Sequence, residues 1–480
     1  MPFLNSYNEA LNTSENLHAF IESDFDEIYD YYSLSNYSEL AKNRDDFKAL
    51  ALRAEVISGL NYDKPKNEAF LNLILRTAIR LDDAFVFEQF FRILVNEGLE
   101  LSKVIEASHV FMTSRAAGDF FDGYNFILER LQEAYITEAD DNKEPLAVLV
   151  NFYSSFINHF NEFHLQGVKD IRNLLNKTFE EKEYPFADDS FLGEILEVDI
   201  TFQNNPYNRI KELVDQYLER GQNLTVFQSG LLLEVDTNYS KVVNSKYHTI
   251  LELLGLNKRL YDKVKSNAIY NSLGRGINIL EKEEQLFAYM YAYGKMHIAK
   301  LKDAITGIDK DLENINLIDW GCGQAPASKV FLETLGSDKV SSVTLIEPSK
   351  LALERASLHL QQDVNTVNTI NKDFDSLSNE DLLGIDQEDS VTVHLFSNVI
   401  DMEFFKLSHL NSLLKDNFSG ENYFIVVSPY INVTRTQRIE SFVEEFTGLE
   451  EGVLLLSESN KSGTWLGNWS KVIRVFKTEL

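Results

Sequence analysis

Apolar side chains recur at three- and four-residue spacings through the first two hundred positions. In "EAFLNLILRTAIRL", Phe70, Leu71, Ile74, Leu75, Ala78 and Ile79 fall on one helical face. "DDAFVFEQFFRILVNEGL" follows, with Asp82 and Asp83 as a helix start and Gly98 as a stop. "GDFFDGYNFILERLQEAY" and "EPLAVLVNFYSSFINHF" continue the pattern, separated by short polar breaks and without β-type alternation. The pattern predicts stacked antiparallel helices, an α-solenoid being one arrangement it allows, with no fixed repeat period. From about residue 206 the helical texture resumes in "PYNRIKELVDQYLERG". Gly274 and Gly276 then predict a turn, and the aromatic-rich "EKEEQLFAYMYAYGKMHIAKLKDAI" predicts a long helix.

After residue 311 the period changes. Short apolar runs ("INLIDW", "VSSVTLIEP", "DSVTVHLFSN", "NYFIVVSPY") alternate with helical stretches ("ASKVFLETLG", "SKLALERASLHLQQ", "FKLSHLNSLLKDNF", "RTQRIESFVEEFTG"). Strand alternating with helix predicts a parallel sheet covered on both faces. The final "GVLLLSES" and "SKVIRVFKTEL", joined by "NKSGTWLGNW", predict an antiparallel hairpin. The expected organisation is an all-α domain over 1–205, a helical connector over 206–310 and an α/β domain over 311–480.

Composition changes this picture little: 44% hydrophobic, 12% aromatic and 25% charged side chains describe an ordinary globular chain. Charge changes it more. A formal net charge of -30 repels polyanions, which favours a protein or small-molecule partner over free nucleic acid. The single cysteine, Cys322, excludes an internal disulfide framework and a zinc site built on several thiolates. The first twenty residues have neither a basic nor an apolar leader region, and no apolar run reaches the roughly 18 residues of a membrane span. A cytoplasmic protein with no membrane segment and no metal site is expected.

The chemistry concentrates in "NLIDWGCGQAPAS", residues 316–328. Asp319 ends an apolar run that opens into Gly321 and Gly323, between the first strand and the first helix of the α/β domain. In such sheets ligands bind at the carboxyl ends of the strands, and glycines let a ligand approach the main chain. Glu347 ends the second strand, where an acid accepts hydrogen bonds from ribose hydroxyls. Asp373 and Phe374 are expected to end the third, an acid–aromatic pair suited to a purine base.

At these residues the chain resembles the class I S-adenosylmethionine-dependent methyltransferases, over about residues 285–480. "LIDWGCGQA" resembles their first motif, "TLIEPS" the second, "NKDFD" the third and "VHLFSNVIDM" the segment after the fourth strand. Ala325 stands where a third glycine is common. The resemblance implies a Rossmann-like seven-stranded domain, mostly parallel, in which an antiparallel last strand is inserted into the sheet. S-adenosylmethionine is the implied cofactor. Gly321 and Gly323 would pass beneath its methionine part, Asp319 would orient the loop and meet the amino group, and Glu347 would hold the ribose diol. Asp373 with Phe374 would take the adenine, while Tyr293 and Ser397 would touch the methionine end.

Methyl transfer is an in-line displacement in which the protein aligns the reactants and excludes water. The acceptor-side candidates are Ser397, Asn398, to hold an amide or amine, and Asp401, to take a proton or attract a cation; capping of a helix by Ser397 or Asn398 and a solvated Asp401 compete with these roles. "NNPY" at 204–207 reads as a helix start with Pro206 in its first turn. His159 and His164 are five apart rather than the four of a helical zinc pair, and Cys322 reads as loop packing. Two functions follow from the sequence: a methyltransferase whose helical region recruits a substrate or a partner protein, or a degenerate cofactor-fold protein serving as a helical interaction scaffold.

Overall fold

The computed structural model describes residue 7 and residues 9–137, 143–218, 237–274, 278–385, 390–403, 405–449, 451–462 and 469–480. The turn residue Gly276 and residues 463–468 of the hairpin connection lie outside them. The chain divides into two compact units, Met1–Asn223 with Ile431–Gln437, and Leu224–Tyr430 with Arg438–Leu480.

The first unit is helical. Its principal helices are α1 (Ser14–Leu34), α2 (Pro65–Leu81), α3 (Ala84–Asn96), α4 (Lys103–Thr113), α5 (Ala117–Thr137), α6 (Lys143–Phe160), α7 (Leu165–Glu181) and α8 (Pro206–Tyr217). Local chemistry sets their ends. Asp82 closes α2 in the left-handed conformation, and the Asp83 carboxylate accepts from Val86 N at 3.2 Å to cap α3. Pro206 is the first residue of α8, as "NNPY" predicts. In α6 every residue from Pro145 to Ile157 is buried, and a helix apolar on all sides belongs in the middle of a fold. It packs against α2, α4, α5, α7 and α8. The unit is thus wound around one helix, whereas in a solenoid each repeat touches only its chain neighbours.

The second unit contains α9 (Ile250–Val264) and α10 (Glu283–Ile305), followed by a seven-stranded sheet. Its strands are β1 (Ile315–Trp320), β2 (Val340–Ile346), β3 (Val367–Ile370), β4 (Val391–Ser397), β5 (Glu421–Ser428), β6 (Val453–Asn460) and β7 (Lys471–Glu479). The order is β3-β2-β1-β4-β5-β7-β6, parallel throughout except for β7, which lies antiparallel between β5 and β6. This inserted antiparallel strand beside a parallel core is the arrangement that the sequence resemblance implies. The helices α11 (Pro326–Leu335), α12 (Lys350–Leu360) and α13 (Leu407–Asn417) belong to the same unit, as does α14 (Val433–Thr447) from Arg438 onward. Among the described residues no helix is long and apolar enough to cross a membrane.

Strand periodicity sorts β1 onto two cores. Ile315 and Leu317 join the core containing Ile298, Leu301 and Val330 from α10 and α11. Ile318 and Trp320 join the opposite core with Leu410, Phe442 and Phe446. Asp319 is therefore directed to the face covered by α10 and α11, at the end of the strand. That parity places the only acid of β1 at the ligand-binding edge of the sheet.

Candidate functional site

The glycine loop is fixed by the next strand. Gly321 N and Cys322 N donate to Ile346 O at 2.9 and 3.0 Å, so the end of β2 holds the loop open. Both glycines have positive φ, +69° at Gly321 and +52° at Gly323. Their surroundings differ. A Cβ at Gly321 would stand 2.6 Å from Val399 Cγ1, whereas a Cβ at Gly323 would meet nothing within 4 Å. Ala325 adopts φ +56° and ψ 39° just before α11, so an alanine performs the left-handed turn that a third glycine would perform without strain.

Two carboxylates converge on this loop. Asp319 is fully buried; its Oδ2 accepts from Ser328 Oγ at 2.6 Å and Ser328 N at 3.2 Å, while Oδ1 has no hydrogen-bond partner. Glu347 accepts from Gly323 N through Oε2 and from Ser349 N through Oε1, each at 2.9 Å. Burial raises both acids, Asp319 to about 6 and Glu347 to about 7, the second also opposed by the charge of Asp319. Burial pushes the Cys322 thiol well above its usual range, with both carboxylates adding to the effect. The thiol is protonated and packs inside the loop, which removes it as a nucleophile.

The helix before β1 supplies a third wall. Tyr289, Tyr293, His297 and Lys300 recur at spacings of four, four and three along α10, so they share one face. Burial raises the Tyr289 hydroxyl, as do the charges of Glu347, Asp319 and Cys322, which sets this side chain beside the glycine loop. Its oxygen lies 3.2 Å from His297 Nε2. His297 Nδ1 lies 2.9 Å from Ser397 Oγ at the end of β4, and Asn398 Nδ2 is 3.1 and 3.2 Å from the two ring nitrogens. Burial, with Lys300 nearby, lowers His297 to about 3, so the ring is neutral. Asn398 has φ +60°, and its Oδ1 is buried without a partner.

The structure thus brings Asp319, Gly321, Gly323, Glu347, Ser397 and Asn398 to one end of the sheet. Tyr293 is buried and packs edge-on against Tyr289, at 5.2 Å between centroids. Phe374 lies under Gly321, with its Cζ 3.7 Å from where a Cβ would be, and packs edge-on against Trp320 and Phe405. Asp373 comes three residues after the last residue of β3 and caps the following turn by accepting from Ser376 N at 2.8 Å. Ser397 and Asn398 cap no helix, since the next one begins at Leu407. Asp401 is buried and accepts from Ser428 Oγ at 2.7 Å, at the end of β5. His159 Nδ1, away from this site, lies 2.8 Å from Ser155 O.

Sequence reasoning missed Tyr289, His297 and Lys300. Their signal was a row of polar-tipped side chains at helical spacing, readable only once that face of the helix was known to be buried.

No protein-family model matches the chain, and no curated protein sequence does. Solved structures do. An S-adenosylmethionine-dependent methyltransferase from Leishmania major is 14% identical, with 52% of this chain and 97% of that chain covered and a TM-score of 0.28. An S-adenosylmethionine-dependent methyltransferase from Clostridium acetobutylicum is 9% identical over 46% of this chain and all of that chain, with a TM-score of 0.28. A putative RNA methyltransferase from Pyrococcus horikoshii is 13% identical over 39% of this chain and 85% of that chain, with a TM-score of 0.27.

Proposed function

We propose that the second unit binds S-adenosylmethionine and transfers its methyl group to a protein or small-molecule acceptor. The observation that carries this reading is the unpartnered Asp319 Oδ1 beside a glycine loop whose Gly323 faces open space. An orphaned buried carboxylate oxygen is costly unless a ligand donor completes it, and an ammonium group is such a donor. The residues present fit the cofactor. Asp319 would receive its amino group, Glu347 its ribose hydroxyls through remaining lone pairs, and the Phe374 side of the loop its base, with Asp373 nearby. Tyr293 and Ser397 would border the methionine end.

The bound sulfonium supplies an already activated methyl group. What remains for the chain is alignment and exclusion of water. The neutral His297, held by Tyr289 and Ser397, fixes Asn398 at the end of β4, and Asn398 Oδ1 is left to accept from an N–H of the acceptor. The net charge of -30 favours a protein or small-molecule acceptor over free nucleic acid, and the helical unit is the proposed place for a partner protein. A cytoplasmic location belongs to the same reading.

Calorimetric titration with S-adenosylmethionine tests it on the wild-type chain and on Glu347→Ala. Saturable heat with the wild type and a loss of affinity of about tenfold or more in the variant are expected. No heat from either protein sinks the enzyme reading and leaves the helical scaffold.

A further inference from the structure

The side of the site away from the glycine loop contains a cation that the reading above does not use. Lys300 is 2% exposed, on the same face of α10 as His297, and its Nζ is buried with no hydrogen-bond partner. Among the described residues of this unit, the other buried lysines and arginines are all engaged. Lys329 bonds Asp363, Arg355 bonds Glu283, Arg438 bonds the carbonyls of Ile400 and Phe405, and Arg474 bonds Glu440. The titratable groups that bear on Lys300 are Asp401, from the loop after β4, and His297 on its own helix; β5 adds the Ser428 hydroxyl, which already donates to Asp401. Burial lowers Lys300 to about 7, against the raising charge of Asp401, and its buried nitrogen, without an acceptor, is incomplete as it stands.

We propose that Lys300 anchors a carboxylate of the methyl acceptor, so that the acceptor belongs to the class of carboxylate-bearing molecules or side chains. The proposal rests on the methyltransferase reading of the same site. Position assigns the anchor to the acceptor rather than to the cofactor. Asp319, Glu347 and Tyr289 gather at the ends of β1 and β2, whereas Lys300 stands with Asp401 and Ser428 at the ends of β4 and β5. An acceptor must approach the methyl group from the side opposite its sulfur, and the β4–β5 end provides that side. Charge agrees: an incoming carboxylate supplies the acceptor that the buried Lys300 Nζ lacks.

The test uses the full chain saturated with S-adenosylhomocysteine, and benzoate as the probe with benzamide as its uncharged control, both titrated by NMR. Benzoate is expected to bind, Lys300→Met to weaken it by about tenfold or more while leaving benzamide unchanged, and Lys300→Arg to restore part of the loss. Lys300→Gln repeats the measurement should Lys300→Met fail to fold. A lysine with a purely structural role would not move the ratio of benzoate to benzamide affinity. Equal benzoate affinity in wild type and variant overturns the proposal, as does absence of benzoate binding to the wild type. A further outcome also overturns it: Lys300→Met weakens S-adenosylhomocysteine but not 5′-methylthioadenosine, which lacks the amino-acid carboxylate. Lys300 would then serve the nucleoside ligand itself. Failure of S-adenosylhomocysteine to bind the wild type would instead refute the function proposed above, and the benzoate titration on the ligand-free chain would decide Lys300 separately.

Discussion

The two rims of the sheet, one at the ends of β1 and β2 and the other at the ends of β4 and β5, are built from opposite materials. The first is main chain and carboxylate: Gly321 and Cys322 hang from Ile346 O, and Glu347 collects the amides of Gly323 and Ser349. The second is side chain and nitrogen: His297 between Ser397 and Tyr289, Asn398 against the imidazole, and Lys300 near Asp401. A rim made of backbone amides is rigid and recognises a fixed ligand, as a nucleoside cofactor is. A rim made of side chains on a helix and a loop is where one chain of this fold can differ from another in acceptor. Under the proposed function, the difference would assign cofactor binding to one rim and acceptor specificity to the other.

The most damaging change to the first rim is Gly321→Ala. Its Cβ would meet Val399 at 2.6 Å and would force a non-glycine residue to φ +69°. Left-handed strain and overpacking together predict a loss of about 3 kcal/mol of stability, measured by denaturant unfolding. Gly323→Ala carries the strain without the clash, since open space surrounds that position. Its predicted stability loss is about 1–2 kcal/mol, and loss of ligand affinity should exceed that of stability. If the two substitutions destabilise equally, the glycine loop is a plain turn and the two rims do not differ as stated.

Next in size is Asp319→Asn. The amide keeps the volume and can still accept from Ser328 but offers no charge to a ligand ammonium. Affinity for S-adenosylmethionine is expected to fall about 100-fold, near 2.7 kcal/mol, with unchanged circular dichroism. Unaltered affinity would mean that the orphaned Oδ1 is unrelated to ligand binding.

A smaller effect separates the rims by pH. Burial raises Glu347 from its ordinary 4.5 to about 7. A carboxyl raised on folding holds more protons in the native state between those values. Its contribution to the stability of the ligand-free chain is therefore fully present below about 4.5 and is lost as pH rises through about 7. Ligand binding runs the other way, because ribose hydroxyls need the ionised acceptor. Affinity should tighten about tenfold between pH 6 and 8, and Glu347→Gln should flatten that dependence. Calorimetry at three pH values checks it.

The sequence disclosed the first rim far better than the second, for a physical reason. Asp319, Gly321 and Gly323 lie within five residues of each other, and Glu347 directly follows the very next strand, so strand parity and turn chemistry suffice to gather them. The antiparallel hairpin was legible at the end of an alternating βα series, whereas the insertion of its last strand into the sheet followed only from the family resemblance. His297 and Lys300 are about a hundred residues from Ser397 and Asp401, and their meeting depends on how α10 crosses the sheet. No local spacing encodes that crossing. Phe374 shows the converse limit: the sequence places an aromatic after β3, but its burial against Trp320 and Phe405 is decided by tertiary packing.

The smallest predicted effect bears on Ala325, where the chain departs from the motif it resembles. Both rims contain a non-glycine residue in the left-handed region, Ala325 at φ +56° and Asn398 at φ +60°. Asparagine tolerates that region through local hydrogen bonding, and Asn398 uses its side chain to reach His297. Alanine gains nothing in return and is strained by about 1–2 kcal/mol, of which glycine would give back part through its greater freedom in the unfolded chain. Ala325→Gly is therefore expected to stabilise by about 0.5–1 kcal/mol, a rise of roughly 2–4 °C in Tm. Asn398→Gly should instead lose stability, because the amide that bonds His297 goes with the side chain. Opposite signs at the two positions would show that Ala325 is only a conformational stand-in and Asn398 a working side chain. Equal signs would show that the left-handed backbone alone decides both.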